Sequence, residues 1–99
     1  MPKRKTARTF KEYMDTRLTP IERTQVKLEA SIIAKMIDAR KQQGLSQQEL
    51  AEMAGVKQPA VARLENMNVT PKIDTVLEIL YPLGYTLEVV PLRDNLSKV

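Results

Sequence analysis

The chain has no cysteine and no histidine. Those absences remove disulfides, thiolate metal sites and every mechanism built on a cysteine or histidine side chain. Aromatic residues make up 4% of the chain, too few for the stacked faces with which single-strand binders hold bases. No apolar run approaches the ~20 residues of a membrane span, and the basic N-terminus lacks the apolar stretch of a signal peptide. A soluble, cytoplasmic protein is expected, and the missing cysteines fit a reducing compartment. Glu49, Glu52 and Glu65 are spaced for capping and surface charge, and no histidine completes a ligand set around them. No metal, no cofactor and no enzymatic activity are expected.

What is present fits a small folded unit. A length of 99 residues bounds the chain to one domain with a thin core, which self-association would help. A hydrophobic content of 42% is too high for a wholly disordered chain. The formal charge of +4 is unevenly placed. Lys3, Arg4, Lys5, Arg8 and Lys11 all precede the first acid, Glu12. This is either a basic arm able to touch phosphates or a solvated tail.

Three segments follow from the pattern. Residues 1–18 form the arm, in which Phe10, Tyr13, Met14 and Leu18 share one face of a possible short amphipathic helix. Residues 19–84 carry the helical bundle. Thr19, Pro20 and Glu22 make a capping box with proline in the first turn. Val26, Ala30, Ile33 and Ile37, widened by Ile32 and Met36, then mark a helix running to about Gln43, with Gly44 at its end. Ser46 to Glu49 is a second capping box, starting a short helix with Leu50 and Met53 inward and Gly55 at its close. A third helix runs from near Lys57 to about Asn66, with Pro59 harmless in its first turn and Val61 and Leu64 inward. Thr70-Pro71 should cap the next, whose stripe is Ile73, Val76, Leu77 and Leu80. Met36 and Met53 are expected to fill the core.

Residues 85–99 change character. Tyr85-Thr86-Leu87-Glu88-Val89-Val90 is rich in β-formers and closed by Pro91, so one strand is expected. A lone strand leaves its backbone groups unpaired. The same strand of a second copy, antiparallel about a two-fold axis, would pair Tyr85, Leu87, Val89 and Val90. Packing as an extended tail is the other reading.

The pair of short helices over residues 46–66 meets the demands of a helix-turn-helix. Ala51 is small enough for the second helix to approach, and Gly55 suits a tight turn. Leu50, Val56, Val61 and Leu64 supply the inside, while Lys57, Gln58, Ala62 and Arg63 lie toward the outer face of the second helix. Such a helix fits the DNA major groove.

Leu45-Ser46-Gln47-Gln48-Glu49-Leu50-Ala51, then Gly55-Val56, then Leu64-Glu65-Asn66, resembles the lambda/434 repressor-like, XRE-type helix-turn-helix family over about residues 30 to 83. The long helix before the motif and the segment Leu83 to Pro91 are similar to the layout of HigA-type antitoxins of type II toxin–antitoxin modules. The resemblance implies a mainly α, five-helix bundle with one C-terminal strand pairing across a homodimer. It also implies a repressor of its own operon that neutralises a RelE/HigB-like RNase toxin. A stand-alone phage-type or metabolic regulator with no toxin shares the same motif.

Site residues follow from the same resemblance. Gln47 matches a position that touches phosphate and braces the recognition helix, with Ser46 beside it. Gln58 matches a base-reading position, where a glutamine can pair with adenine N6 and N7. Pro59 and Ala62 could make apolar contacts, and Arg63 could reach guanine or phosphate. Lys57 departs from the family's serine or threonine, which loses a cap and puts a cation at the positive helix end. Asn66, Thr70 and Lys72 would lie near the backbone, while Glu65 is expected to support the fold. Phe10, Tyr13, Met14 and Leu18 are candidates for a toxin groove.

Overall fold

A computed structural model describes residues 18–92 of the chain. Among them are four helices: α1 (Pro20–Gln42), α2 (Gln47–Ala54), α3 (Gln58–Glu65) and α4 (Ile73–Leu83). The fifth expected helix, over Phe10 to Leu18, lies outside the described residues except for Leu18, which sits in a bend.

Helix α1 begins where its cap chemistry dictates. The Thr19 hydroxyl accepts from the Glu22 backbone N–H at 3.2 Å, and the Glu22 carboxylate accepts from the Thr19 N–H at 2.8 Å. Two otherwise orphaned donors are thus satisfied by each other's residues. The bonds from Thr19, its backbone N–H first, hold the Glu22 carboxyl below its ordinary value near 4.5. A lowered folded-state value makes this a stabilising contribution present above the unfolded value and lost as pH falls through the folded one. The helical signal of the wild type should therefore weaken on acidification below about pH 4.5 more than that of Glu22→Gln, as read by circular dichroism.

Eleven residues form the core: Ile33, Met36 and Ala39 of α1, Leu50 and Ala51 of α2, Val61 and Leu64 of α3, and Val76, Ile79, Leu80 and Leu83 of α4. Helix α2 packs on α3 and α4, and α1 closes the bundle against α3 and α4. The short motif helices are thereby fixed by two longer neighbours. Neither would be stable alone at eight residues.

Four expectations need correction. Met53 is exposed. At roughly 100° per residue, the buried face of α2 centres between Leu50, Ala51 and Ala54 and leaves Met53 off its edge. In α4, Ile73 and Leu77 are exposed, and Ile79 and Leu83 join Val76 and Leu80 inside. The apolar arc of that helix spans more than half its circumference, with Asp74 and Glu78 on the remainder, so periodicity alone fits several stripes, and packing on α2 and α1 selects one. Thr70-Pro71 does not cap it: the N-cap is Lys72, with no side-chain bond. Finally, residues 85–92 form no strand. The Tyr85 N–H donates to the Leu80 carbonyl at 3.0 Å, closing α4 beyond Gly84, and the chain then runs on without a ladder. A strand needs a second row of donors and acceptors, and the described residues of one copy supply none.

Candidate nucleic-acid interface

The turn between α2 and α3 is built from the residues that can make it. Gly55 takes a left-handed backbone, φ 73°, with open space where a Cβ would stand. A side chain there would meet backbone strain alone. The Val56 N–H reaches back to the Ala51 carbonyl at 3.0 Å and draws the chain into α3. Ala51 is buried at 1% exposure on a helix that packs against α3, which leaves little room for a larger side chain.

Helix α3 is pinned by Val61 and Leu64, both buried, and its opposite face is thereby set. Lys57, Pro59, Arg63 and Asn66 are exposed, and Gln58 and Ala62 are half-buried. Lys57 is the N-cap and makes no side-chain cap bond, as its residue type predicts. Thr70 and Lys72, in the connection to α4, share a cleft with Arg63 and Thr75. Ser46 is exposed, but its hydroxyl accepts the Glu49 N–H at 3.0 Å and serves as a cap.

The charges on this face are of one sign. The only acid between residues 57 and 66 is Glu65, and its side chain is turned inward at 6% exposure. There it takes a bidentate pair from Arg40, Nε to Oε2 at 2.6 Å and Nη2 to Oε1 at 2.9 Å. Arg40 also donates from Nη1 to the Leu45 carbonyl at 2.8 Å. Lys57 and Arg63 enter no ion pair among the described residues. The outer face of α3 therefore offers uncompensated positive charge and amide groups, which suits a polyanion whose grooves display donors and acceptors.

A line of side chains continues from the ion pair to the surface. Gln47 Nε2 donates to Glu65 Oε1 at 2.9 Å, and Gln58 Nε2 donates to Gln47 Oε1 at 2.8 Å. Gln47 and Gln58 are thus brought together across the turn, and the fold-supporting role expected of Glu65 has a specific partner. Sequence reasoning missed Arg40. It lies 25 positions before Glu65, in the last turn of α1, where a basic residue is already explained by the helix dipole. No local pattern connects the two.

Other candidates are placed differently. Phe10, Tyr13 and Met14, with the basic residues Lys3 to Lys11, lie outside the described residues. Leu18 is half-buried, and its carbonyl accepts from Arg23 Nη1 at 2.9 Å. Tyr85, Leu87, Val89 and Val90 are exposed, Val89 completely. Among the described residues no group of acids is arranged to hold a metal ion. No described helix is long and apolar enough to cross a membrane.

The profile of a helix-turn-helix family matches residues 36–90. An uncharacterised helix-turn-helix-type transcriptional regulator of Haemophilus influenzae is 46% identical over 66 residues, 67% of each chain. The helix-turn-helix-type transcriptional regulator PuuR of Escherichia coli is 36% identical over 53 residues, 54% of this chain but 29% of that protein. A solved structure titled as a toxin–antitoxin module from Streptococcus pneumoniae superposes with a TM-score of 0.69 at 37% identity, covering 90% of this chain and 98% of that one. Two short helices joined across a left-handed glycine, a polar outer face on the second, and a profile match over more than half the length together place this chain in the XRE-type helix-turn-helix family.

Proposed function

We propose that the protein is a sequence-specific transcriptional repressor that binds duplex DNA as a homodimer, laying the outer face of α3 in the major groove. The observation that carries this is the placing of Gln58 between Lys57 and Arg63, which enter no ion pair among the described residues, with the carboxylate of Glu65 withdrawn to Arg40. Gln58 reads a base. Arg63 reads guanine or phosphate, and Pro59 and Ala62 offer apolar contact to a thymine methyl. Ser46, Gln47, Asn66, Thr70 and Lys72 set the register on the backbone.

The test is a mobility-shift series on the DNA upstream of the protein's own gene. Gln58→Ala should cost about 1–3 kcal/mol at one base position. Lys72→Ala should weaken all sequences alike and lower the salt dependence by about one counterion. Absence of any shift by the wild type at low salt would refute the reading.

The dimer is part of the proposal. Residues 85–90 would pair with their two-fold mates through Tyr85, Leu87, Val89 and Val90, giving the unpaired segment the ladder it lacks alone. Operator half-sites would then lie about one helical turn apart, ~34–36 Å.

The repressor also serves as an antitoxin against a RelE/HigB-like RNase toxin and regulates its own operon. Support comes from the likeness to the Streptococcus pneumoniae toxin–antitoxin module over nine-tenths of the chain. Residues 1–18, with Phe10, Tyr13, Met14 and Leu18, are the proposed toxin-binding segment. Co-purification of the product of the adjacent gene, lost on deleting residues 1–18, tests this half. A stand-alone regulator without a toxin is the second reading, favoured by the two relatives described only as transcriptional regulators. It requires that no such partner co-purify.

A further inference from the structure

Helix α3 ends in the same way as α1, with a different kind of residue at the critical place. Gln43 closes α1 at φ −88°, and Gly44 follows at φ 72°. The Gly44 N–H donates to the Lys41 carbonyl and the Leu45 N–H to the Arg40 carbonyl, both at 3.0 Å. Asn66 closes α3 at φ −88°, and Met67 follows at φ 57°. The Met67 N–H donates to the Leu64 carbonyl at 3.0 Å, and the Asn68 N–H to the Arg63 carbonyl at 2.9 Å. This paired closure needs a left-handed residue after the cap, so glycine usually stands there. Helices α2 and α4 also end on left-handed glycines, Gly55 and Gly84. Met67 is the one non-glycine residue with positive φ among the described residues.

Left-handed backbone is unfavourable for any residue with a Cβ, and the core does not account for the strain. Met67 is 46% exposed and stands outside the buried cluster. Strain held at a surface position points to a function there. Its place in the chain says which. Asn66 precedes it, and Thr70 and Lys72 follow, the residues assigned above to the DNA backbone. No acid lies between Met67 and Lys72. Gln58 begins α3, roughly 12 Å back along the axis at about 1.5 Å per residue, at the end that reaches base edges. An apolar side chain cannot hold a phosphate, but the deoxyribose beside each phosphate offers it a carbon face.

We infer that Met67 is a DNA-binding residue that lays its side chain against a deoxyribose of the operator backbone, beside the phosphates met by Asn66, Thr70 and Lys72. The assignment rests on α3 reading DNA as proposed above. Contact between carbon surfaces removes both from water and carries no preference among bases. A glycine at this position would make a better helix end and a poorer DNA contact. Stability and affinity are therefore opposed at one residue.

The experiment measures thermal melting and affinity for the upstream duplex, using the full chain as wild type, Met67→Gly, Met67→Ala and Met67→Leu. Met67→Gly relieves the strain and removes the side chain, so its melting temperature should rise by about 4 °C. Met67→Ala keeps the strain and should melt within about 2 °C of the wild type. Both should bind roughly five- to ten-fold more weakly, with the same loss on every single-base variant of the site. The slope of log affinity against log salt should not change, since no cation is removed. Met67→Leu restores an apolar side chain and should bind within about two-fold of the wild type. Wild-type affinity in Met67→Gly and Met67→Ala would overturn the inference. So would a loss in Met67→Gly that Met67→Ala does not share, which would report backbone freedom. A lower melting temperature in Met67→Gly would show a structural role, and a loss confined to one base position would show a base contact. Either overturns the assignment, as does a Met67→Leu as weak as Met67→Ala. A wild type that binds no duplex at low salt would instead refute the DNA-reading proposal beneath it.

Discussion

Arg40→Met should lower the folding free energy by about 3–5 kcal/mol, measured by urea denaturation. The variant leaves Glu65, 6% exposed, as a charge without its partner. Breaking a buried pair from one side is costly because the remaining charge has neither water nor counterion. The loss is a large fraction of the ~5–15 kcal/mol that holds a typical domain. The double variant Arg40→Met/Glu65→Met removes both charges and should recover most of that loss, since apolar replacement of a buried pair is often near neutral. If the single and double variants are equally unstable, the damage is to packing around α1 and not to charge. If the single variant is as stable as wild type, the pair is solvated and contributes little.

Ile79→Ala should cost about 2–5 kcal/mol, the second largest effect expected. Ile79 is completely buried in α4, the helix on which both α1 and α2 rest. The substitution deletes three side-chain carbons from a packed interior, and neighbouring helices relax only partly into the space. Because α2 and α3 are short, loosening α4 should also weaken DNA binding without touching the outer face of α3. Tyr81→Ala is the control. Tyr81 stands on the same helix but is 84% exposed, so its replacement should change stability by no more than about 0.5 kcal/mol. Equal effects at the two positions would mean that α4 buries a different face.

These two residues mark what could be read in advance. Helix starts were legible because caps are local: Thr19 with Glu22, and Ser46 with Glu49, each lie three residues apart and announce themselves. The outer face of α3 was legible because Val61 and Leu64 set its inside within one turn. The inward face of α4 was not, since its apolar residues cover more than half the helix. Arg40 was not, since its partner is 25 residues away. Met53 was misplaced because a short helix buries only a narrow stripe. The segment 85–90 looked like a strand by composition, and the described residues of one copy provide nothing for it to pair with.

The amino-acid sequence by itself determined the capped starts of α1 and α2, the left-handed turn at Gly55, the excess of cations beside Gln58 and the motif that places the chain in its family. Those depend on interactions spanning a few residues, and a few residues of sequence contain them. Only the tertiary structure decided which face of α4 turns inward, that Glu65 is withdrawn to Arg40, and that Gln47 grips Gln58 in one orientation. Those depend on helices far apart in the chain coming to lie side by side, and the direction of a hydrogen bond exists only once both partners are in place.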